Sequence, residues 1–211
     1  MNRFDLSLYL VLDPVLSEPL GVIETARRAV RGGATMVQLR DKTATTEQRI
    51  ETGLLLKSVL AGSGARLIVN DDVEAAMAIA ADGVHIGQGD LDLRAARDRI
   101  GDDMLLGLSI GSVAEAEALD PTLVDYVGVG PVFPTATKPD HPPAIGLDGL
   151  QAVIRATHLP AVAIGGVKIG HISAILARGA KGVAVVSAIC GQPDPEVAAR
   201  TLRAEISRSL V

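Results

Sequence analysis

A chain of 211 residues, 48% of them apolar, is long enough for one sizeable core and ordinary for a single domain. A formal net charge of −5, two Phe, two Tyr, no Trp and no long basic block argue against a nucleic-acid surface. One cysteine, Cys190, excludes an internal disulfide and fits a reducing cytoplasm, the expected location.

The N-terminal stretch MNRFDLSLYLVLDP has an apolar run too short for a membrane span or a signal peptide, and Asp13 interrupts it. It reads as a strand over 7–13. A helical pattern near 21–32 follows, then a strand at 36–40 and a helix near 45–61. The next strands fall at 65–70 and 83–87, with helices near 72–81 and 91–99. Strands at 104–109 and 126–130 are separated by a helix near 112–119 and followed by one near 147–156. The last strands, 160–166 and 182–189, precede helices near 169–178 and 193–207. Nearly every strand run is apolar throughout, which means burial on both faces, as in a parallel sheet covered by helices.

The same joint recurs in RGGATMVQLR, AADGVHIGQ and RGAKGVAVVS, where a glycine past a helix turns the chain into the next strand. Eight β and eight α stretches joined in this way predict an α/β fold, a single-domain (β/α)8 barrel over 1–211. A doubly wound open sheet is the second possibility, but no GxGxxG follows the first strand, so its dinucleotide-binding version is not expected.

In such a barrel, chemistry sits at the C-terminal ends of the strands. Polar residues collect there. The second strand ends in Gln38, Arg40, Asp41 and Lys42, the third in Asn70, Asp71 and Asp72, and the fourth leads to Gln88 and Asp90. Ser109 ends the fifth. Thr135, Thr137 and Lys138 follow the sixth, Gly165 and Gly166 the seventh, and Ser187 lies on the eighth. Asp72 alone reads equally well as a helix cap. Asp71 and Asp90 at adjacent strand ends suit Mg²⁺, which takes one or two carboxylates plus phosphate oxygens. No His or Cys cluster supports zinc: His85 and His171 read as structural, and His141 and His158 lie in loops without an evident partner.

Arg40, Lys42 and Lys138 at the same mouth could hold a diphosphate; the bland alternative pairs such cations with Asp41 and Asp72. Gly165-Gly166 before a helix, and VVSAI (185–189), are similar to the backbone phosphate cradle found after the last two strands of many barrels. The expected mouth therefore has two anion sites, one built from a metal and cations, the other from backbone and hydroxyls.

Taken together, QLRDK (38–42), NDD (70–72), HIGQGD (85–90), GLS (107–109), GPVFPTATK (130–138), IGG (164–166) and VVSAI resemble the thiamine phosphate synthase family over essentially the whole chain. That family joins a pyrimidylmethyl diphosphate to a thiazole phosphate, often in its 2-carboxylated form, and releases diphosphate. The resemblance implies that Gln38, Arg40, Lys42 and Asn70 hold the pyrimidine diphosphate, that Asp71 and Asp90 bind one Mg²⁺, and that Ser109 contacts the pyrimidine. It places Lys138 on the diphosphate, and Thr135, Thr137, Gly166, Val186 and Ser187 around the thiazole phosphate. The catalytic set so implied is Arg40, Lys42, Ser109 and Lys138; the implied partners are these small molecules, with no nucleic acid and no membrane. One departure stands out: many relatives continue with His-Thr after the serine, whereas here the chain runs Ile110-Gly111-Ser112, with Ser112 available as a helix cap.

Two other classes share such a barrel. A thiazole tautomerase is expected to carry a His second in the stretch matching GPVF, where this chain has Pro131, which has no side chain to move a proton. A non-catalytic thiamine phosphate sensor is expected to lack one of the diphosphate cations, and all three stand here.

Overall fold

The computed structural model describes residues 4–135, 137 and 142–210. Among these, eight strands close into one barrel in chain order, each parallel to both neighbours. The strands are β1 (Leu8–Val11), β2 (Met36–Leu39), β3 (Arg66–Asn70), β4 (Gly83–Ile86), β5 (Leu105–Ile110), β6 (Tyr126–Val129), β7 (Ala161–Ala163) and β8 (Gly182–Val185). The helices that return the chain are α1 (Val22–Arg31), α2 (Thr46–Leu60), α3 (Val73–Ile79), α4 (Leu93–Ile100), α5 (Val113–Ala118), α6 (Gly146–Thr157), α7 (Ile172–Ala177) and α8 (Pro195–Ser209). The expected barrel is therefore the observed one. No described helix is long and apolar enough to cross a membrane.

Three expected elements are shorter than their apolar runs. The strand expected over 160–166 stops at Ala163, because Gly165 and Gly166 take φ of 96° and 61° and leave the extended region. The strand expected to 189 stops at Val185. Beyond it the Ile189 and Cys190 N–H groups both donate to the Val186 carbonyl, so VVSAI closes a turn, and Ser187 lies on that turn instead of on the strand. The helix expected over 169–178 opens with a 3₁₀ turn, Ile169–His171, before α7. In the first two, apolar residues such as Val167 and Ile189 continue past the strand because they pack against the core, which period-based reading does not separate from strand.

Side chains pointing out of the barrel meet the helices in one large cluster that includes Leu8, Leu10, Val37, Val69, Val127 and Ile206. Side chains pointing inward form a second, smaller cluster of Tyr9, Met36, Ile68, Leu105, Tyr126, Val162 and Ala184. At the N-terminal end, carboxylates just ahead of two strands stitch neighbouring strands together. Asp82 accepts from the Leu67 N–H at 2.8 Å, and Asp125 accepts from the Leu106 N–H at 2.8 Å and from Arg97 at 2.7 Å. The Arg97–Asp125 pair is largely shielded, with 11% and 15% of its side chains exposed, so its loss would leave a charge unpaired.

Glycine within β5 makes room for the inner cluster. A methyl group on Gly107 would lie 2.3 Å from the Tyr126 ring and 2.4 Å from His85 Nδ1. Both neighbours are fully packed, so neither can retreat. We expect Gly107→Ala to cost about 1–3 kcal/mol of stability by overpacking, read as a lowered urea midpoint at unchanged slope. A midpoint equal to that of the parent would mean that the inner layer is loosely packed.

Candidate functional site

Because all strands run parallel, their C-terminal ends form a single rim. β2 delivers Arg40 and Lys42 to it, β3 Asn70 and Asp71, the loop after β4 Asp90, and β5 Ser109. Asp71 sits in the left-handed region at φ 62°, unusual for a residue with a side chain, and its N–H donates to the His85 carbonyl at 2.9 Å. Its carboxylate accepts from the Lys42 ammonium, whose side chain is half exposed. Lys42 is thus paired with neither Asp41 nor Asp72. Asp41 caps the turn at Thr43 and Ala44. Asp72 caps α3 through the Ala75 N–H and also accepts from Thr46 and Arg49, at 2.8 and 3.0 Å. Burial works against ionisation of Asp72, but those three donors together hold its carboxyl below the usual range.

Asp90 accepts from the Gly87 N–H at 2.7 Å. Loss of solvent and the neighbouring Asp71 carboxylate raise its carboxyl above the usual value, against the pull of the Gly87 N–H and Lys42. Two carboxylates that repel one another beside a single ammonium form a set of hard oxygen donors fit for a divalent cation. Among the described residues no three His, Cys, Asp or Glu side chains gather as a metal cage, so such an ion would need further oxygens from a ligand.

On the opposite arc, the segment after β6 lies against the segment after β7. The Val132 and Phe133 N–H groups donate to the Ile164 and Gly165 carbonyls at 2.9 and 3.0 Å. A methyl group on Gly166 would lie 2.4 Å from the Pro134 carbonyl oxygen, so only glycine allows this approach. Thr135 Oγ1 accepts from the Thr137 N–H at 3.3 Å, and the Phe133 ring stacks on His171 at 3.9 Å. Val186 and Ser187 follow β8 on the same arc, half-buried and exposed respectively. Lys138 lies outside the described residues, as does His141.

Gln38 is buried inside the barrel instead of standing on the open rim. It donates from Nε2 to the Tyr9 hydroxyl at 2.8 Å, and that hydroxyl lies 2.9 Å from the Tyr126 hydroxyl. Tyr126 reaches His85 Nδ1 at 3.1 Å, and His85 Nε2 reaches Ser109 Oγ at 2.9 Å. The sequence does not single out Tyr9 and Tyr126; His85, read as structural, is buried beside them. Glycines within β5 and β6, Gly107 and Gly128, were the available signal, since glycine in a strand marks close approach. Burial lifts both tyrosine hydroxyls far above their usual range. After Ser109, the Gly111 N–H donates to Glu115 at 2.6 Å, and Ser112 closes a capping box with Glu115.

A closed β/α barrel with its polar groups gathered at the C-terminal rim defines the class: a (β/α)8-barrel enzyme. Residues 8–189 match the family model described as thiamine monophosphate synthase. The chain is 47% identical to the thiamine-phosphate synthase of Azorhizobium caulinodans over 99% of this chain and 98% of that one. It is 49% identical to that of Xanthobacter autotrophicus over 96% of each. The solved thiamine phosphate pyrophosphorylase from Pyrococcus furiosus superposes with a TM-score of 0.89 at 34% identity, over 99% of both chains. The chain belongs to the thiamine phosphate synthase family.

Burial pushes the His85 imidazole down to about 4, against the pull of Asp90. A histidine whose value falls on folding stabilises the fold fully above its unfolded value, near 6.5, and that contribution is lost as pH falls toward the folded value. Between pH 6.5 and 4 we expect a loss of about 3 kcal/mol from this group, read as the difference in urea-derived stability between the parent chain and His85→Asn. Parallel pH profiles for the two proteins would show that His85 is not held neutral.

Proposed function

We propose that the chain joins 4-amino-2-methyl-5-pyrimidylmethyl diphosphate to 4-methyl-5-(2-phosphoethyl)thiazole, free or 2-carboxylated, giving thiamine phosphate and diphosphate. With the carboxylated form CO₂ also leaves. The observation that carries this reading is the grouping of Lys42, Asp71 and Asp90 beside Arg40 on one rim, in a chain of this family. The lone, buried Cys190 supports a reducing cytoplasm as its setting.

The bond that breaks joins the pyrimidylmethyl carbon to a diphosphate oxygen. Negative charge then grows on the diphosphate, and positive charge spreads over the aminopyrimidine. Arg40, Lys42 and Lys138 face the growing negative charge, where fixed cations act most strongly. Mg²⁺, held by Asp71 and Asp90, would neutralise part of the leaving group's charge. Lys42, paired with Asp71 in the free protein, would be released toward phosphate oxygens if Asp71 and Asp90 held that ion. Gln38 and Ser109 orient the pyrimidine, while Thr135, Thr137, Gly166, Val186 and Ser187 hold the thiazole phosphate. The thiazole nitrogen supplies the electron pair for the new C–N bond, so no side chain acts as nucleophile. The protein's task is to hold two rings in contact and keep water from the cation.

Purified protein supplied with both substrates and Mg²⁺ should form thiamine phosphate and diphosphate in equal amounts. Conversion of the thiazole phosphate alone, without Mg²⁺ or pyrimidine, would indicate a tautomerase instead. Binding of thiamine phosphate without turnover would indicate a sensor. Replacing Lys138 by Ala should lower turnover about a hundred- to thousandfold, the usual cost of one well-placed electrostatic donor; near-normal turnover would remove Lys138 from the site. Asp71→Ala and Asp90→Ala should each abolish the Mg²⁺-dependent part of the rate while circular dichroism stays that of the parent. An unaltered Mg²⁺ titration in both variants would take the metal elsewhere.

A further inference from the structure

Four consecutive hydrogen bonds cross the inside of the barrel, from Gln38 on β2 through Tyr9 on β1, Tyr126 on β6 and His85 on β4 to Ser109 on β5. Each hydroxyl has one proton to give, and a neutral imidazole has one donor and one acceptor nitrogen. One end therefore sets the direction of the whole chain. The Gln38 amide nitrogen can only donate; among the described residues the Tyr9 hydroxyl meets only Gln38 and Tyr126, and a buried proton left unpaired is costly, so Tyr9 accepts from Gln38 and gives its own proton to Tyr126. Tyr126 then gives its proton to His85 Nδ1. With Nδ1 accepting, the imidazole proton sits on Nε2 and is given to Ser109 Oγ. The Ser109 proton is left outside the chain, on an exposed residue at the rim.

Resting on the synthase reading above, we propose that Tyr9, Tyr126 and His85 are positioning residues that hold the Ser109 hydroxyl as a hydrogen-bond donor toward the pyrimidine. A ring nitrogen next to an amino group is an acceptor and fits that donor. In the analogue with oxygen in place of the 4-amino group, the same nitrogen carries hydrogen and does not fit. The Gln38 carbonyl oxygen, at the other end, is left to accept from a donor such as the amino group. In the reverse direction the histidine proton would sit on Nδ1, Ser109 would give its proton to His85, and the preference would invert. Specificity of this kind comes from leaving a wrong partner's polar group unpaired.

The test uses the full chain labelled with ¹⁵N at histidine. Formation of thiamine phosphate by the parent is measured first; its absence would remove the reading this proposal rests on. The ring nitrogen shifts of His85, which do not depend on turnover, should then report a neutral imidazole protonated at Nε2. An active protein with His85 protonated at Nδ1 would overturn the proposal alone. In Tyr126→Phe the single tautomer should be lost, and kcat/KM for the amino substrate should fall about tenfold, the worth of one hydrogen bond. Its preference over the oxo analogue should shrink, while KM for the thiazole phosphate holds. An unchanged tautomer together with an unchanged preference would reduce Tyr126 to packing and overturn the proposal. Should Tyr126→Phe fail to fold, the tautomer of the parent still decides.

Discussion

A sheet of eight parallel strands that closes on itself has one end where every strand stops and hands the chain to a helix. This constraint governs the rest of the molecule. The strands are held by backbone hydrogen bonds, and both faces are dry, so strand interiors have little freedom to carry charge. Polar side chains are confined to the two rims. At the N-terminal rim Asp82 and Asp125 catch amides of the neighbouring strands, which ties β4 to β3 and β6 to β5. The C-terminal rim, relieved of that duty, can keep groups such as Asp71, Asp90 and Ser109 whose electrostatics suit a ligand better than they suit the fold.

Charge at that rim is out of balance in the free protein. Asp72 is satisfied by three partners and belongs to the architecture of α3. Asp71 holds Lys42, and its carboxylate, together with loss of solvent, disfavours the ionised form of Asp90. The consecutive carboxylates Asp71 and Asp72, both just after β3, thus have different fates: Asp72 is held by Ala75, Thr46 and Arg49, and Asp71 by Lys42. An anionic ligand with its own divalent cation would satisfy both the carboxylates and the released ammonium, which is why the arrangement is better explained by binding than by stability.

The inside of the barrel departs from the apolar filling usual for this architecture. Two tyrosine hydroxyls, a glutamine amide and an imidazole sit where branched aliphatic side chains normally pack. Each is satisfied by the next, so the chain is tolerated, and Gly107 and Gly128 supply the space. A buried polar chain of this kind is costly if one link fails and rigid when all are made. That rigidity ties Gln38, buried inside the barrel, to Ser109 at the mouth.

The alternation of apolar runs with amphipathic stretches determined the barrel, because dry strands and covering helices leave opposite periodicities in the sequence. The motifs placed Arg40, Lys42, Asp71, Asp90 and Ser109 at strand ends, and parallel closure is sufficient to bring such ends together. Where the apolar signal outran the element, as at Ala163 and Val185, the boundary depended on positive φ at glycine and on a turn at Val186, neither of which hydropathy records. Only the tertiary structure decided that Lys42 pairs with Asp71 and not with Asp41 or Asp72, since that choice depends on the positive φ of Asp71. Only it joined Gln38 to Ser109, because Tyr9, Tyr126 and His85 lie on three different strands and meet solely by pointing into the same closed interior.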